Sequence, residues 1–198
     1  MPHPAQQSSQ RRPRADATRN RAAIVAAARE VYAETGPDAP FDAIAKRAGV
    51  ANGTLYRHFP DVAALREAIF CRRLDETEER LAALATEEPG DALASYLHWI
   101  AETPDVSLVD LIGRTEWHDD VLRAHRTRVR RRVEDLIARA IRVGATRSDV
   151  TMTDLDVVVL ALSHVGLATW VTDEERDRFT MLLLDGLRSP LGKTQPGS

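Results

Sequence analysis

Apolar residues recur every three or four positions along most of this chain, which is the spacing of one face of an α-helix. Residues 41–48 carry them at i, i+3, i+4 and i+7, and a second short helix is predicted at about 52–58. Leu55 and Phe59 of this second segment lie one turn apart and can pack inward. Gly49 separates the two helices, because glycine tolerates the positive φ of a tight turn. No segment alternates convincingly with the period of a strand, so the pattern predicts an all-α fold.

Longer helices are predicted on both sides of this pair. The first begins near Thr18 and ends at the turn residues Gly36 and Pro37. Another is predicted to start at Pro60 and Asp61, because proline suits a first helical turn and aspartate caps it or complements the helix dipole. The remaining predicted helices cover about residues 91–102, 105–114, 119–143, 152–171 and 174–188. Two short helices joined by a glycine turn after a longer helix form a helix-turn-helix pattern, which a larger helical body follows.

The charge distribution adds a functional indication to this architecture. The 198 residues have a formal net charge of −3. Residues 1–60 hold nine Lys/Arg against five Asp/Glu, or +4, whereas residues 61–198 hold 18 against 25, or −7. A basic front on an acidic body is typical of a protein that presents one end to a polyanion.

The expected location is cytoplasmic. The single cysteine, Cys71, excludes an internal disulfide and favours a reducing compartment. The first seventeen residues contain no apolar run, so no secretory signal is expected. The longest apolar stretch, residues 155–171, is shorter than the roughly 20 residues of a membrane span and contains Asp156 and His164.

The second short helix concentrates the side chains that suit DNA. In a helix-turn-helix this helix enters the major groove, where its first residues meet base edges. Its hydroxyl and imidazole groups can donate to phosphate oxygens, whereas Asn52 and Arg57 have the geometry to read adenine and guanine. Gly53 lets the backbone approach a phosphate. The predicted DNA-binding residues are Asn52, Gly53, Thr54, Tyr56, Arg57 and His58. The alternative is an ordinary surface helix of a bundle.

The segment FDAIAKRAGVANGTLYRHFPDVAALREAIF resembles the amino-terminal domain of TetR-family transcriptional repressors. The order I-A-x-x-A-G-V followed by G-T-L-Y-x-H-F carries the resemblance, which covers about residues 18–70. It implies an all-helical homodimer whose first three helices bind DNA and whose remaining helices bind a small effector. It also implies that Thr54, Tyr56 and His58 contact DNA. Beyond about residue 82 only the helical pattern and the length match.

The resemblance divides the chain into four expected segments. Residues 1–17 form a disordered basic arm, 18–64 the helix-turn-helix DNA-binding domain, 65–188 a helical effector-binding and dimerisation domain, and 189–198 a flexible tail. Two positions depart from the family pattern: Val62 stands where many members have a phosphate-binding lysine, and Ala51 where many have a capping serine. The arginines that could replace the lost charge are Arg11, Arg12, Arg14, Arg19 and Arg21. A solvated, mobile arm is the equal alternative.

Two Trp and two His residues are candidates for the effector pocket, because ligand sites combine apolar walls with a few polar groups. The predicted ligand-binding residues are His98, Trp99, Trp117 and His164. Ordinary core packing is the alternative for each. The His and Asp residues around 118–125 match no known metal-ligand spacing, so neither a metal nor another cofactor is expected.

A wide apolar face on the last two predicted helices indicates dimerisation, because one small subunit offers too little surface to bury both helices. The predicted interface residues are Leu155, Val159, Leu162, Val165, Gly166, Phe179 and Leu183. Packing within one chain is the alternative.

Together these features predict a ligand-responsive, DNA-binding transcriptional regulator and not an enzyme. The favoured hypothesis is a repressor that a small molecule releases from its operator. The expected partners are a palindromic double-stranded operator, a small-molecule effector and a second copy of the chain, with no membrane. The alternatives are an effector-independent dimeric DNA-binding protein and a metal-binding helical enzyme that uses the His/Asp cluster.

Overall fold

The computed structural model describes residues 7–36, 38–103, 120–168 and 170–188, with side chains from residue 16 onward. These ranges contain eight α-helices, one 3-10 turn at Leu84–Thr86, and no β-structure except an isolated bridge between Thr146 and Arg188. The helices are α1 (Gln7–Thr35), α2 (Phe41–Ala48), α3 (Asn52–His58), α4 (Val62–Ala83), α5 (Pro89–Glu102), α6 (Asp120–Arg142), α7 (Met152–Leu167) and α8 (Asp173–Leu187). The predicted all-α fold is confirmed. No helix of the described part is long and apolar enough to cross a bilayer.

The chain divides into two units, Met1–Phe70 and Cys71–Ser198, so the boundary lies inside α4. The prediction placed it at residue 64. Leu65 and Ile69 are buried with the first unit, which explains why the first two turns of α4 belong there. The effector and dimerisation residues of the prediction all belong to the second unit.

The turn between α2 and α3 is formed as predicted. Gly49 ends α2 with φ 67°, in the left-handed region. The next amide, that of Val50, donates back to the carbonyl of Ala45 at 3.0 Å, which satisfies a carbonyl at the end of α2. Leu55 and Phe59 are fully buried and anchor α3 against the rest of the first unit.

The first helix is longer than predicted. Residues 7–17, which were expected to belong to a disordered arm, are helical, and residues 1–6 of that arm lie outside the described part. Extending an existing helix avoids the cost of a new nucleus, and each added residue except Pro13, which has no amide proton, can donate one further hydrogen bond. The side chains of Arg11, Arg12 and Arg14 lie outside the described residues.

Two differences concern the second unit. The helix predicted at 105–114 lies outside the described residues. The helix predicted at 152–171 ends at Leu167, because Ala168 is extended with ψ 107°, and Thr172 then caps the next helix. The Thr172 hydroxyl accepts from the Glu175 amide at 3.2 Å, and the Glu175 carboxylate accepts from the Thr172 amide at 2.9 Å. This reciprocal capping box fixes the start of α8.

The arginine-rich helix α6 buries its apolar side and pairs part of its basic side with the acidic body. Its buried residues are Leu122, Val129, Val133, Leu136, Ile137 and Ala140. Arg128 donates to Glu78 of α4 at 2.8 Å, and Arg130 donates to Asp156 of α7 at 2.9 Å. α5 packs against α6, α7 and α8.

The start of α3 lacks a cap, and restoring one should stabilise this helix. Ala51 occupies the cap position in an extended conformation, and no side chain accepts a hydrogen bond there. Ala51→Ser places a hydroxyl beside the free amides of the first turn, so we expect α3 to gain about 1 kcal/mol against local opening. Hydrogen exchange of the α3 amides measures this free energy. Ala51→Val, which cannot cap, is the matched control; equal protection in both variants would contradict the prediction.

Candidate nucleic-acid interface

The seven-residue helix α3 turns one apolar side chain inward and most of its polar groups outward. Leu55 is completely buried. The six predicted DNA-binding residues all lie on this helix: Asn52, Gly53, Tyr56 and Arg57 are exposed, and Thr54 and His58 are half-buried. A side chain added at Gly53 would meet no protein atom within 4 Å, so the space over this glycine is open. The exposed surface of α3 has the groups and the room to meet a nucleic acid.

Tyr56 is held by its ring. The ring centroid lies 5.3 Å from that of Phe41 on α2, with the planes tilted by 45°. About half of the residue, 52%, remains exposed. Because the ring contact is the packed part, the hydroxyl can be removed without disturbing the packing.

Arg57 lies back along its own helix. Its Nε donates to the Gly53 carbonyl at 3.1 Å, and its Nη2 donates to the Thr54 hydroxyl at 3.0 Å. A guanidinium has five N–H donors, so these two bonds leave donors at the fork end. That end retains the two parallel donors that a guanine edge accepts.

Asn52 has a partner that the sequence analysis did not identify. Its Nδ2 donates to Oδ1 of Asp42, in the first turn of α2, at 2.7 Å. The two residues are ten positions apart and meet across the glycine turn. Periodicity within one helix cannot reveal such a pair.

Ion pairs and ring contacts hold α1, α2 and α3 together. Arg47 of α2 donates to both carboxylate oxygens of Glu34 on α1, at 2.9 and 2.6 Å, and to Glu30 at 3.1 Å. The hydrogen bond from Arg47 lowers the pKa of Glu34 below its usual value. Arg21, one of the arginines considered for DNA contact, lies over the Phe59 ring, with its guanidinium carbon 5.0 Å from the ring centroid. These contacts join α1 to α2 and to the end of α3 within the first unit.

Comparisons with known proteins match both units of the chain. The family model for "Bacterial regulatory proteins, tetR family" matches residues 24–69, and that for "Transcriptional regulator SbtR-like, C-terminal domain" matches residues 88–189. A TetR transcription regulatory protein from Mycobacterium vanbaalenii is 31% identical, with a TM-score of 0.60, over 88% of this chain and 98% of its own. The chain belongs to the TetR family of transcriptional regulators.

Two further solved structures have the same fold as this TetR-family chain. The regulator SCO0520 from Streptomyces coelicolor is 31% identical, with a TM-score of 0.57, over 87% of this chain and 99% of its own. The ketosteroid transcriptional regulator KstR2 of Mycobacterium tuberculosis is 19% identical, with a TM-score of 0.60, over 86% of this chain and 95% of its own. None of the curated proteins searched matches this chain. Members of the family are DNA-binding regulators and not enzymes, typically ligand-responsive repressors that act as dimers.

The second unit of this TetR-family regulator does not gather the predicted ligand residues into one described cavity. His98 and Trp99 are half-buried on α5, whereas His164 on α7 is exposed and its Nδ1 lies 3.0 Å from the Leu160 carbonyl. Trp117 lies outside the described residues. One cavity of about 290 Å³ is lined by Gly90, Thr146 and Leu187 among others, and none of the predicted ligand residues borders it.

The interior near Trp99 is more polar than the sequence suggested. Arg73 of α4 is only 1% exposed, and its guanidinium carbon lies 4.0 Å from the centre of the Trp99 ring. Its Nη1 donates to the Thr103 hydroxyl at 2.9 Å. Burial raises the pKa of nearby Tyr96 to about 12; the charge of Arg73 lowers that pKa and the charge of Asp156 raises it. The apolar pattern of α4 does not predict that Arg73 is buried, because a charged residue at this position counts as polar and exposed.

The predicted dimer residues separate into two groups. Leu155, Val159 and Leu162 are buried within the chain itself, so the prediction that they face a partner is contradicted by their packing. They form the side of α7 that covers the core. The remaining predicted residues, Val165, Gly166, Phe179 and Leu183, are half-buried.

Other apolar side chains of α7 and α8 are left uncovered. Val157 is 59% exposed and Leu182 is 61% exposed; Met181 is exposed beside Leu182. Gly186 lies one turn after Leu182, and a side chain added there would meet no atom within 4 Å. We call the exposed side chains of Val157, Met181 and Leu182 the uncovered face.

The His/Asp cluster does not assemble in the described part of the chain. His118 and Asp119 lie outside it, and the described residues contain no group of three or more His, Cys, Asp or Glu side chains that could hold a metal ion. Nε2 of His125 lies instead near two carboxylates of α4, 3.3 Å from Oε2 of Glu78 and 3.7 Å from Oδ1 of Asp75.

Proposed function

We propose that this regulator is a dimeric repressor that binds a palindromic operator in the cytoplasm through α3 and leaves it when a small molecule binds the second unit. The observation that carries this proposal is the exposed set of polar side chains on α3, supported from behind by Leu55 and Phe59. Its hydroxyls suit phosphate oxygens, and the amide of Asn52 and the guanidinium of Arg57 suit base edges.

The proposed dimer forms through the uncovered face. Val157 and Leu182 are exposed on two helices that contact each other, and a contiguous exposed apolar surface is what marks a protein interface. Both lie on helices whose starts are fixed by capping boxes, at Thr151 for α7 and Thr172 for α8. Binding to a palindromic operator requires the dimer to present its two copies of α3 about 34–36 Å apart, one turn of DNA.

The proposed effector site lies in the second unit near Trp99. A buried arginine against an aromatic ring offers both a charge and an apolar wall, which is how small-molecule sites combine orientation with burial. An effector can release the operator only by binding one conformation of the dimer better than the other.

Selection of bound duplexes from a random pool tests the proposal. We expect a palindrome whose half-sites are centred about 10 base pairs apart, because dimers place their recognition helices in successive major grooves. A selected site without twofold symmetry would remove the dimeric arrangement. Failure to select any sequence over the starting pool, at fixed salt, would remove sequence-specific binding altogether.

A further inference from the structure

The hydrogen bond between Asn52 and Asp42 fixes which end of the Asn52 amide faces Asp42. An asparagine amide has an oxygen that accepts and a nitrogen that donates, and on an unconstrained side chain either can face the DNA. Here the nitrogen donates to Oδ1 of Asp42 at 2.7 Å. An ionised carboxylate only accepts, so the reversed amide would place two acceptor oxygens against each other.

This constraint leaves a defined pattern for a base. One proton of Nδ2 is taken by Asp42, and the amide still offers its oxygen and its second proton. Adenine presents an acceptor at N7 and a donor at N6 in the major groove, which matches one donor and one acceptor. Guanine presents acceptors at both N7 and O6, which would require two donors.

We infer that Asp42 is a specificity-determining residue: by holding the Asn52 amide in one orientation, it makes Asn52 select adenine over guanine at one position of each half-site. Asp42 does not itself contact the base and is a positioning residue. The inference rests on the proposed placement of α3 in the major groove.

The charge of Asp42 acts on overall DNA affinity and not on base preference. An exposed carboxylate on a DNA-facing surface repels phosphates at every sequence, so removing it should strengthen binding to all duplexes alike. Base preference and overall affinity therefore distinguish positioning from simple electrostatics.

The experiment uses the full-length protein and two duplexes that differ only at the tested position, as A·T or G·C. The position is the one whose preference disappears in Asn52→Ala when duplexes are selected from a random pool. Fluorescence anisotropy at fixed salt then gives the ratio of the two affinities for each variant. For the unsubstituted protein we expect a preference for adenine of about 10-fold or more, as for a good bidentate contact.

Asp42→Asn is the decisive variant, because it keeps the size of the side chain but can both donate and accept. We expect the adenine preference to fall to about 2-fold, since either amide orientation is then satisfied. Asp38→Asn is the matched control: it removes an equally exposed charge from the same unit, away from Asn52, and should leave the preference intact. In an Asn52→Ala background, Asp42→Asn should no longer change the preference.

The outcomes separate this inference from the proposed function. If Asp42→Asn and Asp38→Asn both change affinity without changing the adenine preference, Asp42 acts only through its charge and the inference is wrong. The same holds if a palindrome is selected but no position depends on Asn52. If the unsubstituted protein selects no sequence, the proposed function itself fails and this inference fails with it.

Discussion

The pair of substitutions Val157→Glu and Leu182→Glu is expected to convert the proposed dimer into folded monomers. Both side chains belong to the uncovered face and are more than half exposed in one chain. In the dimer each glutamate would be buried opposite apolar groups or a second glutamate, which costs several kcal/mol for each unpaired charge. In the monomer the same carboxylates stay in water, so folding should be unaffected.

Loss of the dimer should reduce operator affinity by about 100-fold or more, because two linked recognition helices bind with an avidity that one cannot reach. Sedimentation equilibrium measures the oligomeric state, and gel shifts at fixed salt measure the affinity. Val143→Glu is the matched control, since Val143 is 58% exposed but lies outside the uncovered face. A double variant that still sediments as a dimer would place the interface elsewhere.

The same test at Val159 and Leu162 would not be informative. These side chains are 7% and 1% exposed within one chain. A glutamate there would be buried in the core of the second unit, so the variant would lose its fold and its dimer together. The choice of positions therefore depends on the packing, not on the apolar pattern.

Tyr56→Phe is expected to weaken operator binding by about 100-fold or more while the dimer stays intact. A hydrogen bond to a charged group contributes about 1.5–3 kcal/mol, and a dimer would lose two such bonds to phosphate. The phenyl ring can keep the contact with Phe41, whose centroid is 5.3 Å away. The expected loss therefore comes from the hydroxyl alone, and gel shifts at fixed salt measure it.

Tyr56→Ala completes the series. It removes both the hydroxyl and the ring that packs on Phe41, so its loss should exceed that of Tyr56→Phe. Circular dichroism and sedimentation should show the same fold and oligomeric state for both, because Tyr56 is half exposed and lies outside the buried core. Unchanged affinity in Tyr56→Phe would remove this hydroxyl from the DNA contacts.

Sequence patterns predicted the DNA-binding half well because its structure is encoded locally. The bounds of α2 and α3 agree with the prediction to the residue. Phe41, Ile44 and Ala45 repeat at helical spacing, Gly49 supplies the left-handed turn, and Ala51 was identified as a missing cap. Each of these signals acts over a few residues, where chemistry and spacing leave one conformation.

The second unit was harder because α7 is apolar on several sides. Its run of Val, Leu and Ala between 155 and 162 identifies a helix but does not say which side meets the core. Leu155, Val159 and Leu162 pack inward, and Val157 is left outside. Only the positions of α5, α6 and α8 around this helix decide which of its apolar residues are buried and which stay exposed.

The sequence alone determined that this chain is helical, that a glycine turn presents α3, and that its family is TetR, since these depend on short-range spacing and a local motif. The tertiary structure decided which apolar residues of α7 and α8 remain uncovered, that Arg73 is buried under Trp99, and that Asp42 holds Asn52. All three bring together residues from different helices. Such contacts depend on how the helices pack, which no periodic pattern within a single helix records.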